Sequence, residues 1–196
     1  MTFSTVAARH IVPLLARFLL CLIFVPTGWG KVMVEQDFTG SDVTVLRELG
    51  VLEAPKEDSP ATKDANKARV VNELAIYLKQ HNAPQPVLAA WLVALTELIG
   101  GGLILIGLFT RLWALGLASI MGTAFALESI PAICAAKTVF SLNLETFNTA
   151  AASLALGVLA IGLLLTGAGI LSLDAAIFSH RHHARHDLDD EDVDEE

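Results

Sequence analysis

The chain has 196 residues, of which 54% are hydrophobic and 17% are charged. Soluble domains are usually about 45–50% apolar, and here the excess is collected in long runs, which is typical of membrane proteins. The formal net charge is −8, but residues 180–196 hold two arginines and eight acids, so the rest of the chain carries only −2. No basic patch with interleaved aromatic residues is present, which argues against nucleic acid as a partner.

Crossing a bilayer takes roughly 20 residues, and four apolar runs are each long enough to do so. They lie at about 11–33, 86–109, 112–134 and 146–173. They predict an all-α fold, an integral membrane four-helix bundle formed by residues 1–179. The start of the first run also fits a signal peptide. The bulky Trp29 and Lys31 stand where a cleavage site needs small residues, which argues against that alternative.

Residues 34–85 form the only sizeable polar segment inside this domain, and we expect a partly helical loop on the extracytoplasmic side. A first short helix is predicted from Ser41 to Leu49. A second is predicted to begin at Ser59-Pro60. Its apolar stripe recurs at helical spacing, at Ala65, Ala68, Val71, Leu74, Ala75 and Leu78. The simplest role for both helices is to cover the bundle.

The C-terminal segment 180–196 is rich in histidine and acids, and we predict a disordered tail. Its four histidines can bind metal only if something fixes their geometry, so no metal site is predicted. The two cysteines lie in different runs without the CxxC spacing of a redox pair.

The distribution of basic residues near the ends of the runs predicts the orientation. Arg9, Arg111, Arg181 and Arg185 fall on one side, whereas Lys137 and the acidic loop fall on the other. Because short cytoplasmic segments carry the excess of Lys and Arg, we expect both termini in the cytoplasm.

Ionisable residues inside the runs are the candidates for function, because a charge facing hydrocarbon is costly. Arg17, Gly28 and Lys31 share one helical face of the first run. Counting about 1.5 Å per residue places Lys31 near Glu97 and Glu128 in the outer half of the membrane. The same count places Arg17 near Asp174 at the inner face, as a structural polar pair.

The predicted site has two acids, Glu97 and Glu128, but only one lysine, Lys31. If all three are ionised, one carboxylate has no cation as a direct partner. One carboxylate is then expected to hold a proton, or to recruit a cation or a hydrogen-bond donor. Such a site can bind a polar head group or relay protons. The alternative is a structural ion pair that fixes helix register.

Several motifs resemble the DoxX family of small four-helix membrane proteins. The pattern of the family's first helix is similar to a stretch of this chain. That stretch has Arg17, an apolar run and then Gly28-Trp29-Gly30-Lys31. The family's second-helix signature is similar to Glu97-Leu98-Ile99-Gly100-Gly101 together with Leu105 to Arg111. Gly167, Gly169 and Ser172-Leu173-Asp174 resemble its closing motif, although Ala168 and Ile170 replace the usual Pro and Arg.

The resemblance implies a multi-pass protein of the bacterial inner membrane that works with partner subunits. Some members are linked to quinone-coupled sulfur oxidation and others to assemblies that handle thiol or oxidative stress. The chain has no CxxC, no haem-ligand pair at membrane depth and no dinucleotide fingerprint, so an electron carrier would be a quinone or belong to a partner. The candidate quinone head-group site comprises Lys31, Glu97, Gly101 and Glu128.

Two other functions remain open at this point. The protein could be a non-catalytic membrane anchor or assembly subunit. A small proton-coupled transporter is less favoured, because four spans without an internal repeat offer little for alternating access.

Overall fold

The structure, a computed structural model, describes residues 11–53, 66–136 and 143–167. Within them, four helices are long and apolar enough to cross a membrane, as the four apolar runs predicted. These spans are Val12–Met33, Pro86–Ile106, Thr110–Ala136 and Leu144–Thr166. Many large apolar side chains on the spans are exposed, including Leu15, Phe18, Leu22, Leu88, Leu92, Leu112 and Val158. Side chains of this kind would aggregate in water, and a bilayer accommodates them.

The first span is the single helix α1, Val12–Met33, and its burial follows the predicted face. Arg17, Phe24 and Gly28 are buried and Lys31 is half-buried, whereas Leu14, Leu15 and Phe18 on the opposite side are exposed. The polar stripe of this helix therefore faces protein, as the cost of a charge in lipid requires.

The second and third spans are each interrupted by a π-helical turn. The second contains α4 (Pro86–Leu95), the turn π1 (Thr96–Gly100) and α5 (Gly101–Ile106). The third contains α6 (Thr110–Ala124), the turn π2 (Phe125–Ser129) and α7 (Ile130–Ala136). The fourth span is the uninterrupted helix α8, Leu144–Thr166.

The polar segment 34–85, which we call the cap, contains four short elements where the structure describes it. These are β1 (Glu35–Asp37), α2 (Ser41–Glu48), β2 (Lys67–Arg69) and α3 (Val71–Gln80). The cap has its own hydrophobic core, formed by Phe38, Val43, Leu46, Leu52 and Ile76. Val71 and Ala75 of α3 also pack in a second cluster with Val32, Ala90 and Ala94, so the cap, the end of α1 and α4 form one compact unit.

The predicted first cap helix is confirmed with a small shift: Gly40 rather than Ser41 occupies its N-cap. The prediction for the second helix was wrong at its N-terminal half. Ala68 lies in β2, which pairs antiparallel with β1, and the helix begins only at Val71. The pairing places Glu35 opposite Arg69 and Asp37 opposite Lys67, so each basic residue of β2 lies across from an acidic residue of β1. Residues 54–65, with the predicted start at Ser59-Pro60, lie outside the described residues.

Two spans end earlier than the hydrophobic runs do. The second ends at Ile106 because Gly107 adopts φ +78°, and the fourth ends at Thr166 because Gly167 adopts φ +73°. A positive φ ends a helix and favours glycine. The predicted continuation to residue 173, Asp174 and the tail 180–196 lie outside the described residues.

The chain divides into two compact units, residues 24–99 and residues 1–23 with 100–196. In the second of these, α6 packs along α8, whose small residues Ala150, Ser153, Gly157 and Ala160 are buried. Small residues of this kind let helices approach closely in membranes. The first unit holds the cap, α4 and the end of α1, and the candidate site described next lies within it.

Candidate functional site

The central feature of the site is an ion pair between Lys31 of α1 and Glu97 of π1. The Lys31 Nζ donates hydrogen bonds to both carboxylate oxygens, 2.7 Å to Oε1 and 2.6 Å to Oε2. The Glu97 side chain is only 4% exposed, whereas the Lys31 side chain is 29% exposed. The acid is therefore buried and the ammonium can be reached from outside.

A close approach of backbones holds the two residues together. A Cβ added to Gly28 would lie 2.5 Å from the backbone nitrogen of Leu98 and 2.9 Å from its Cα. No side chain fits there, so glycine is required for the approach. Gly28 lies nearly one helical turn before Lys31, and Leu98 directly follows Glu97, so this contact sets the spacing of the ion pair.

Thr27 is a third polar group at the site, and sequence reasoning missed it. Its hydroxyl donates to the Phe24 carbonyl oxygen at 3.0 Å and also forms a side-chain hydrogen bond with the Glu97 carboxylate. A hydroxyl has one proton, so it can donate to only one of these acceptors at a time. Thr27 is itself exposed, so the buried carboxylate has a polar neighbour at the surface of the span. The only feature of the sequence that pointed to Thr27 was its position directly before Gly28.

Both acids proposed for the site lie in π-helical turns. Glu97 lies in Thr96–Gly100 and Glu128 lies in Phe125–Ser129. A π-helical turn inserts an extra residue into a helix and rotates the side chains that follow, and such turns occur frequently at functional sites. Hydrophobic periodicity within an apolar span does not reveal a single inserted residue, so neither turn was predicted.

The other predicted site residues lie in the second compact unit. Gly101 is buried and is the first residue of α5, and Glu128 is exposed. Their participation in a site with Lys31 stays a prediction. Arg17 is buried, with 1% of its surface exposed, and its predicted partner Asp174 lies outside the described residues.

The geometry of the pair defines what it can do chemically. A lysine ammonium has three N–H donors, and two of them are used by Glu97. Among the described residues the third has no acceptor, so it is available to a ligand oxygen. A carboxylate beside it can accept or release a proton. The pair can therefore bind a polar carbonyl group and exchange a proton with it.

Four apolar spans define a multi-pass membrane protein, and the Lys31–Glu97 ion pair lies within one of its two compact units. The sequence model of the DoxX family matches residues 12–129, which is more than half of the chain. The protein therefore belongs to the DoxX family. The match includes both Lys31 and Glu97. Neither a curated protein nor a solved structure matches the chain significantly.

Proposed function

We propose that this DoxX-family protein is a membrane subunit of a quinone-linked oxidoreductase complex. In this proposal the Lys31–Glu97 pair binds the polar head group of a quinone. The observation that carries the proposal is the asymmetry of the pair. A fully buried carboxylate holds an ammonium whose third donor is free among the described residues.

The chemistry of a quinone head group fits these residues. Its two carbonyl oxygens accept hydrogen bonds, which suits the third N–H of Lys31. Reduction to the quinol consumes two electrons and two protons. A partner redox subunit, of the kind that oxidises thiols or reduced sulfur, supplies the electrons. Glu97 passes protons to the head group, and the Thr27 hydroxyl connects Glu97 with the surface.

The test uses the complex isolated from membranes in mild detergent. Glu97→Gln is expected to abolish quinone-dependent turnover while the protein still inserts and folds. Glu48→Gln is the matched control, because Glu48 is an exposed acid of the cap. Unchanged turnover in Glu97→Gln would remove this mechanism. Binding of a short-chain quinone analogue to the purified subunit, measured in parallel, separates loss of binding from loss of proton transfer.

A second candidate is a non-catalytic anchor or assembly subunit, and the cap favours it. The described part of the cap is folded around a hydrophobic core and packs on the spans, so its exposed side offers an ordered surface to a partner. Under this candidate, replacing the cap with a short flexible linker prevents recovery of partner proteins. Glu97→Gln would then act only through stability, and the purified protein would bind no quinone analogue.

A further inference from the structure

A cleft at the boundary between the cap and the second span is separate from the Lys31–Glu97 pair. It has a volume of about 510 Å³, within the usual range of small-molecule sites. Its walls are the end of α2 and the beginning of α4, and its lining residues are Leu49, Gln85, Pro86, Val87, Leu88 and Trp91. All of them belong to one compact unit.

The lining of the cleft is almost entirely apolar, and its position places it beside the bilayer. Pro86 is the first residue of the second span, so the cleft lies at the membrane surface on the cap side. Leu88, which lines the cleft, is 54% exposed, and Leu92 one turn further along the span is 57% exposed, so a bilayer would cover this face of α4. An acyl chain can therefore enter from the bilayer without crossing water, and burying it is favourable.

A positive charge lies next to this apolar cleft. The Arg69 guanidinium carbon is 5.4 Å from the centroid of the Trp91 ring, a cation–π contact. Arg69 is exposed and forms no ion pair with another described residue, even with Glu35 opposite it on β1. Its planar fork of N–H donors suits the oxygens of a phosphate.

The first turn of α4 adds to this positive potential. No side chain caps it; its first residue, Pro86, has no N–H, but the N–H groups of Val87 and Leu88 have no intrahelical partner. The N-terminus of a helix attracts anions for this reason. The cleft therefore combines an apolar lining open to the bilayer with a cation and a helix N-terminus at its edge. An anionic amphiphile has the complementary parts, an acyl chain and a negatively charged head group.

We propose that this cleft binds one acyl chain of an anionic phospholipid from the cap-side leaflet, with the phosphate of the head group on Arg69. The apolar lining selects a lipid over a soluble anion, and the guanidinium selects an anionic lipid over a zwitterionic one. The site is independent of the proposed quinone chemistry.

The experiment is native mass spectrometry of the full-length protein in detergent, titrated with phosphatidylglycerol or with phosphatidylcholine of the same acyl chains. The first phosphatidylglycerol is expected to bind about fivefold more tightly than the first phosphatidylcholine, the gain typical of one cation near an anionic head group. Arg69→Gln should reduce this preference to about onefold. Arg69→Lys, which retains the charge, should keep part of it.

Lys67→Gln is the matched control, because Lys67 carries the same charge at the other end of β2. It should leave the preference unchanged. Equal binding of the two lipids by the unmodified protein, or equal losses in Arg69→Gln and Lys67→Gln, would overturn the proposal. Displacement of the bound lipid by glycerol phosphate at equal concentration would also overturn it, because the acyl chain would then contribute nothing.

Discussion

Gly28 lies so close to the backbone of Leu98 that a Cβ on Gly28 would be 2.5 Å from the Leu98 nitrogen. Gly28→Ala is therefore expected to push α1 away from π1 and to lower the free energy of unfolding by about 1–3 kcal/mol. Thermal unfolding in detergent measures this loss. Gly30→Ala is the control in the same helix, since nothing lies within 4 Å of a Cβ there. It should be neutral or stabilising by about 0.5–1 kcal/mol. Equal effects of the two substitutions would contradict the close approach.

Removal of Lys31 leaves the buried Glu97 carboxylate without its cation. Lys31→Met should destabilise the protein by about 3 kcal/mol, because an unpaired charge in the interior is costly. The double variant Lys31→Met with Glu97→Gln should recover much of this loss, since the amide carries no charge. The check is a double-mutant cycle on unfolding in detergent. Additive losses would mean that the two residues do not stabilise one another.

The Thr27 hydroxyl is expected to contribute through its hydrogen bonds with Phe24 and Glu97. Thr27→Val keeps the shape of the side chain and removes the hydroxyl, at an expected cost of about 1 kcal/mol. Thr27→Ser keeps the hydroxyl and should retain most of the stability. The measurement is the free energy of unfolding in detergent of Thr27→Val and Thr27→Ser, compared with that of the unmodified protein. If valine and serine are equally tolerated, the hydroxyl has no such role.

Gly167 ends α8 with φ +73° and ψ −170°, a conformation that residues with a Cβ rarely adopt. Its Cβ would also lie 3.3 Å from Arg111 Nε. Gly167→Ala should therefore cost about 1–3 kcal/mol. Gly162→Ala, inside the same helix with open space around it, should not destabilise the protein. A lower midpoint of thermal unfolding for Gly162→Ala than for Gly167→Ala would refute this reasoning.

The proposed orientation places the cap outside the cell and both termini in the cytoplasm. In a variant without native cysteines, Glu48→Cys in the cap should react with a membrane-impermeant maleimide on intact cells. Leu108→Cys, in the connection between α5 and α6, should react only after the membrane is permeabilised. The reverse pattern of labelling would invert the topology.

Much of the site could be predicted from the sequence, because a charged side chain that faces lipid is costly in free energy. A charge within an apolar run has to face protein, and helical spacing then placed Arg17, Gly28 and Lys31 on one face. Counting about 1.5 Å of helical rise per residue then placed Lys31 at the depth of Glu97. The participation of Gly101 and Glu128 stays a prediction, as does the pairing of Arg17 with Asp174.

The cap was predicted less well, since its structure depends on pairing between distant segments. Ala68 fits a helical stripe by spacing, yet β2 pairs with β1 across more than thirty residues of chain. Short polar strands leave little periodic pattern from which this pairing could be predicted.

The sequence by itself determined the four spans, the all-α class and the partnership of Lys31 with Glu97, because hydrophobicity and the cost of buried charge act locally along a helix. Only the tertiary structure decided the π turn that carries Glu97, the hydroxyl of Thr27 beside it and the cleft between the cap and α4. These features depend on one inserted residue or on packing between remote segments, and neither changes the hydrophobic pattern.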